Sequence, residues 1–261
     1  MNTGDFTFSQ YRRLVHSFLD KEYKIISYYD FLSGFYKGRL LILRHDIDRV
    51  TPATCLMAEF EKSLGIKSTY YFKENDGVFP QSTINKVTSA GHEAGYHYQD
   101  LYIKKGDPDK AIRAFEKNLN TLRNICKVDT ICMDGYVLSK WDNRELWKKY
   151  NYRDYGILGE PYLDTDFSKV LYLTETGRKW NAENKSRYDK TIDKTLYSKF
   201  KYKNTNQLIE SIHSDELPDV IMMTIHPQRW HDHFGPWFFE LATQQIKNTI
   251  KYFIVKSANN K

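Results

Sequence analysis

From about residue 40 to the end of the chain, short apolar runs alternate with stretches whose apolar residues recur at helical spacing, and this rhythm constrains the fold more than any other feature. It describes a parallel sheet covered by helices, because a crossover must return each strand to the same end of the sheet. Leu40-Leu41-Ile42-Leu43 reads as a buried first strand. Thr51 and Pro52 open a helix whose Ala53, Leu56, Met57, Phe60 and Leu64 share one face, and Gly65 stops it. Further strands are expected at Ser68 to Phe72, Glu93 to Tyr98, Val128 to Met133, Tyr155 to Leu158, Val170 to Thr174 and Val220 to Ile225, which makes seven. Helices are expected over 82–90, from Asp107-Pro108 through the Ile112, Phe115, Leu119 and Leu122 stripe, and over Thr205 to Ile212. A terminal helix would carry Phe239, Ala242, Ile246, Ile250 and Phe253. The expected fold is α/β, an incomplete TIM-like (β/α)7 barrel forming one domain over 1–261. Residues 1–39 would be an N-terminal extension, with a helix such as Tyr11 to Leu19, that packs on the barrel or plugs it.

Composition narrows the function classes. With 41% hydrophobic and 28% charged residues the chain is ordinary globular material. No stretch approaches the roughly 20 apolar residues of a membrane span. The opening Met1-Asn2-Thr3-Gly4-Asp5 has neither a basic segment nor an apolar run, so a cytoplasmic location is expected. The cysteines, Cys55, Cys126 and Cys132, are three in number with no C-x-x-C pair, which argues for buried free thiols over a disulfide framework or a Cys-based zinc site. The net charge of +6 arises from 39 basic and 33 acidic residues scattered along the chain, a solvated surface and not a nucleic-acid footprint. Twenty tyrosines, fifteen phenylalanines and five tryptophans exceed what a core of this size needs. Some rings must reach the surface, where they could stack on sugars or simply clothe the fold.

Three segments can carry chemistry. Arg44-His45-Asp46-Ile47-Asp48 follows the first strand directly, and residues two apart on a strand point the same way, so Asp46 and Asp48 can reach one site. The C-terminal ends of barrel strands are where barrel enzymes hold their reacting groups. In Gly91-His92-Glu93-Ala94-Gly95-Tyr96-His97-Tyr98-Gln99-Asp100 the two histidines fall on opposite faces of a continuous strand. His97 sits at the C-terminal end and is the better candidate, while His92 reads as a structural hydrogen-bonding group. The third segment is Thr224-Ile225-His226-Pro227-Gln228-Arg229-Trp230-His231-Asp232-His233. Here His226 ends the last strong strand and Pro227 turns the chain out of the sheet. His231 and His233 read as a His-rich loop.

Together, His45-Asp46-Ile47-Asp48, Gly91 to His97 and Ile225-His226 resemble the first, second and last motifs of the polysaccharide deacetylase (NodB-homology) superfamily, in a divergent branch with an H-D-x-D first motif. The likeness runs from about residue 40 to 233. It implies a (β/α)7 barrel, one divalent metal ion (zinc first) held by an Asp and two His, and hydrolysis of N-acetyl groups from amino sugars. It further implies Asp46 as general base, Asp48 and His97 as metal ligands, and His226 as general acid. The second metal histidine of the family falls on Leu101, which cannot ligate. Asp134, at the end of the fourth strand on the same rim, is the substitute expected here; Asp100 is adjacent but differently directed. The family's Arg that orients the base is not evident near Met133, and spacing does not choose between Arg44 and Arg153. Tyr98, Tyr136, Arg229 and Trp230 are the expected sugar contacts. The implied partner is an amino-sugar or polysaccharide-precursor substrate of cell-envelope or surface-polysaccharide metabolism. The rival is a non-catalytic carbohydrate-binding or scaffold protein on the same barrel, and Leu101 is the feature in its favour. A glycoside hydrolase fits less well, since its two carboxylates stand about 5 to 9.5 Å apart across a sugar.

Overall fold

Strand β2 (Leu40–Ile47) is the hub of the computed structural model, which describes residues 4–34, 36–135, 139–175, 178–181 and 200–243. All eight of its residues are buried, as expected of a strand covered on both faces. The other strands of its sheet are β1 (Lys24–Ile26), β3 (Thr69–Phe72), β4 (Glu93–Tyr98), β5 (Ile131–Met133), β6 (Leu171–Thr174) and β9 (Val220–Ile225), all joined by parallel pairings. Along the main sheet the order is β5-β4-β3-β2-β9-β6. One edge of β2 pairs with β9 from Leu40↔Val220 to His45↔Ile225. The other edge is shared: β1 takes Leu40 to Ile42 and β3 takes Arg44 to Ile47. A separate antiparallel pair joins β7 (Trp180–Asn181) to β8 (Lys201–Tyr202).

The sheet is strongly curled. β5 lies three strands from β2, about 14 Å away in a flat sheet, yet Arg44 Nη1 reaches Cys132 Sγ at 3.0 Å. Among the described residues β5 and β6 do not pair, so the strands form a half-barrel, the incomplete β/α barrel that the alternation implied. The crossover helices follow the expected signals. In α3 (Pro52–Ser63) proline opens the first turn, and in α6 (Pro108–Arg123) the Asp107 side chain accepts from the Asp109 and Lys110 amides. α4 (Gln81–Ser89) turns Ile84 and Val87 inward, and α8 (Thr205–His213) buries Leu208, Ile209 and Ile212. Between them lie the short α5 (Asp100–Ile103) and α7 (Pro161–Asp164). A helical stretch occupies 234–243; the remainder of the expected terminal helix lies outside the described residues.

Two expectations need correction. Tyr155 to Leu158 is not a strand: the Asn151 side chain caps a 3-10 turn over Tyr152–Tyr155, and Gly156 leaves it with φ 71. That left-handed step brings only Gly159 into line, as a single bridge to Thr130 beside β5. The first 39 residues do more than cover the barrel. They contribute β1 to the sheet, after α1 (Phe8–Asp20), whose Tyr11, Leu14, Val15 and Phe18 join the core, and before α2 (Tyr28–Ser33). No helix among the described residues is long and apolar enough to cross a membrane.

Candidate functional site

Strand alternation sorts β2 into two sets of side chains. Arg44 and Asp46 face the concave side, joined by Asp48 just past the strand end, while His45 faces the helices. On the helix side His45 Nε2 lies 2.9 Å from Glu61 Oε1, and His92 bonds the Ser68 amide and the Ala58 carbonyl. Tyr11, Ser68 and Tyr70 also donate to Glu61. His92 is thus the structural group that its position implied. Burial opposes the Glu61 charge, but His45, His92 and the Ser68 hydroxyl outweigh it and hold its carboxyl below the usual range.

On the concave side the rim of the half-barrel collects ionisable groups from every central strand. His97 of β4 donates from Nδ1 to the Cys132 carbonyl of β5 at 3.0 Å, which fixes the tautomer and leaves Nε2 facing the mouth. There Nε2 lies 3.6 Å from Asp48 Oδ1 and 4.0 Å from Asp134 Oδ1. Burial would depress the imidazole, but Asp46, Asp48 and Asp134 together raise it well above its ordinary value. Asp48 moves the opposite way: burial would raise it, and His97, His226 and Arg229 hold it well below the carboxylate range. Gly95 makes this packing possible, because a Cβ there would stand 2.5 Å from two carbons of the Tyr71 ring and 2.8 Å from the Thr130 carbonyl oxygen.

Two three-residue donor sets share His97. The inner one, Asp46, His97 and Cys132, is already answered by Arg44. Its guanidinium is fully buried and donates to Asp46 Oδ2 at 3.1 Å, Cys132 Sγ at 3.0 Å, Thr224 Oγ1 at 2.6 Å and the Tyr162 hydroxyl at 2.9 Å. Burial pushes the Cys132 thiol up to about 11, so it is neutral there. The outer set, Asp48, His97 and Asp134, has donor atoms within 4.8 Å of one another. Gln228 Nε2 holds Asp48 Oδ2 at 3.0 Å and Lys73 Nζ holds Asp134 Oδ2 at 2.6 Å. Each carboxylate therefore turns its other oxygen toward His97.

His226 directly follows the neighbouring strand β9. Its Nδ1 lies 2.9 Å from Glu175 Oε2, and Arg229 Nη1 lies 3.3 Å from the same oxygen. Burial opposes ionisation of Glu175, yet His226 and Arg229 bring its carboxyl down to about 2. Glu175, Lys73 and Gln228 were not singled out from sequence. Lys73 and Glu175 directly follow β3 and β6, and Gln228 lies in the 3-10 turn Pro227–Arg229 after β9, so only the nearby strand end signals each of them.

Several expected residues go elsewhere. Tyr98 is buried on the helix side, where its hydroxyl accepts from Trp147 Nε1 and its ring meets Phe115, because it alternates with the inward His97. Trp230 is 1% exposed and packs against Phe6, Tyr11 and Trp180, so it forms core and not a sugar platform. Tyr136 lies outside the described residues. Arg229 does reach the rim, through Glu175. His231 bonds the Gln228 carbonyl. Arg153 pairs with Asp164 at the surface, leaving Arg44 as the arginine beside Asp46. All three cysteines are free, with Cys132 buried and Cys55 and Cys126 half-buried.

Leu101 is buried in the core, and Asp100 points between β4 and α6, where it accepts from the Tyr96 hydroxyl and Asn118 Nδ2. Burial raises the Asp100 carboxyl from 3.8 to about 7 despite those bonds. The folded chain therefore binds this proton more tightly than the unfolded chain, and the stabilisation it gives is lost as pH rises from about 4 through about 7. Asp100→Asn, which stays neutral, is expected to flatten the fall in melting temperature between pH 5 and pH 8; an unaltered slope would refute this assignment.

An incomplete β/α barrel with a charged, histidine-bearing mouth is thus the class that fold and site define. No family model and no curated protein matches the chain. Among solved structures it is similar to a CE4 esterase of Streptococcus mutans, with 16% identity, TM-score 0.44, and coverage of 84% of this chain and 83% of that one. It is also similar to the catalytic domain of a peptidoglycan N-acetylglucosamine deacetylase from Eubacterium rectale, with 12% identity, TM-score 0.43, and 82% and 87% coverage. A CE4 family pseudoenzyme from Bacillus anthracis overlaps at 11% identity, TM-score 0.43, and 82% and 63% coverage. These overlaps are loose, and the functional reading below rests on the rim residues themselves.

Proposed function

We propose that the chain is a metal-dependent hydrolase that removes N-acetyl groups from an amino-sugar substrate, in cell-envelope or surface-polysaccharide metabolism. The observation that carries this reading is the convergence of Asp48, His97 and Asp134 from three separate strand ends onto one small volume. Two carboxylates and one imidazole suit a divalent ion, zinc first, and a tautomer-fixed Nε2 is what such an ion requires. Asp134 supplies the third donor that Leu101 cannot, which favours the enzyme over a carbohydrate-binding barrel lacking the ion.

Asp48, His97 and Asp134 would hold the divalent ion, which would supply a water of pKa ~7 and a Lewis acid for the acyl carbonyl. The chain's own groups complete the reaction. Asp46 Oδ1 is buried without a hydrogen-bond partner, while Arg44 holds Oδ2; the free oxygen is the one to take the water's proton. His226, with Nδ1 held by Glu175, is oriented to protonate the departing nitrogen. Water oxygen joins the acetyl carbon, the C–N bond breaks, and acetate and the free amine leave.

The test is elemental analysis of the purified protein after equilibration with zinc, cobalt or manganese, followed by acetate release from N-acetylated sugars and sugar nucleotides. One ion per chain and release above an Asp46→Asn control are expected. No ion, or no release across the panel, would count against the reading.

A further inference from the structure

The three carboxylates around His97 do not have equivalent partners. Asp46 has Arg44, Asp48 has the neutral amide of Gln228, and Asp134 has the ammonium of Lys73. Lys73 follows β3 on the concave row that begins with Thr69 and Tyr71. Its side chain is 25% exposed, and Nζ sits 2.6 Å from Asp134 Oδ2 while Oδ1 of the same group faces His97 Nε2.

We propose that Lys73 is a positioning residue and built-in counter-cation of the metal site: it presents Asp134 as a ligand in the ion-free protein and, by its own charge, weakens the hold on the divalent ion. This inference rests on the metal reading above. In the ion-free protein Asp134 has two facing groups, the His97 ring, which it shares with Asp48, and the Lys73 ammonium, which is its closer partner. Once a divalent ion engages Asp134 Oδ1, two cations share one carboxylate. Their repulsion is only partly screened, because the groups lie closer together than a Debye length and Asp134 is 14% exposed. Lys73 thus stabilises the empty site and opposes the filled one. A lysine with a purely architectural role would favour both states alike.

The experiment is zinc affinity, measured by chelator competition at one fixed pH, together with the melting temperature of the ion-free protein, for wild type, Lys73→Met, Lys73→Gln and Lys73→Arg. The neutral variants are expected to bind zinc about tenfold more tightly or better while melting lower without it. Lys73→Arg, which keeps the charge, should stay near wild type in both measurements. Unchanged or weaker zinc binding in Lys73→Met and Lys73→Gln overturns the inference and leaves the metal reading standing. Failure of the wild-type chain to bind zinc, cobalt or manganese overturns the metal reading and this inference with it.

Discussion

Asparagine in place of Asp46 is expected to lower acetate release about a thousandfold, within the range that a general base contributes, while zinc binding persists. The substitution is nearly isosteric. Its carbonyl oxygen can still accept from Arg44 Nη2, and Arg44 keeps Thr224, Cys132 and Tyr162 as partners. What disappears is a basic oxygen where Asp46 Oδ1 now lies unpartnered. Single-turnover kinetics with an N-acetylated sugar would separate the effect on chemistry from any on binding. Activity within a few-fold of wild type, with the ion bound, would remove Asp46 from the mechanism. Loss of zinc along with activity would instead move Asp46 into the ligand set.

Arg44→Ala should destabilise the barrel by about 3–5 kcal/mol, the usual cost of stripping one member from a buried ion pair. Three losses coincide. Asp46 is left charged at 5% exposure, the Thr224 and Tyr162 hydroxyls lose their donor, and a cavity opens between rings that now flank the guanidinium, with Tyr162 at 4.8 Å and Tyr71 at 5.7 Å. Arg44→Lys keeps the charge but not the planar fork, so it cannot serve all these partners together and should fall between the two. Urea unfolding with a constant m-value would measure the difference. A loss below about 1 kcal/mol for the alanine variant would mean that the pair contributes little.

The legible part of this molecule was the part written in periodicity and strand ends. Strand β2, helices α3 and α6 and strand β9 follow from apolar spacing and capping residues, and Asp46, Asp48 and His97 from position at strand termini. Spacing does not separate Arg44 from Arg153; the fold sets one beside Asp46 and the other beside Asp164. Tyr98 and Trp230 were misassigned for different reasons. Alternation from His97 already turns Tyr98 away from the mouth, whereas Trp230 follows a 3-10 turn whose direction no local pattern encodes. Glu175 and Lys73 stayed hidden because a charged residue after a strand looks the same whether it meets solvent or a buried partner. Tyr155 to Leu158 had strand-like composition, but Asn151 and Gly156 made a turn of it.

β2 carries Arg44, Asp46 and the approach to Asp48 on one face, and hydrogen-bonds to β1, β3 and β9 along its length. Sliding it by a single residue against those partners would aim His45 and Ile47 into the mouth and send Arg44 and Asp46 toward the helices. The grouping of charged side chains at the mouth and the pairing of the central strands are therefore set by one alignment.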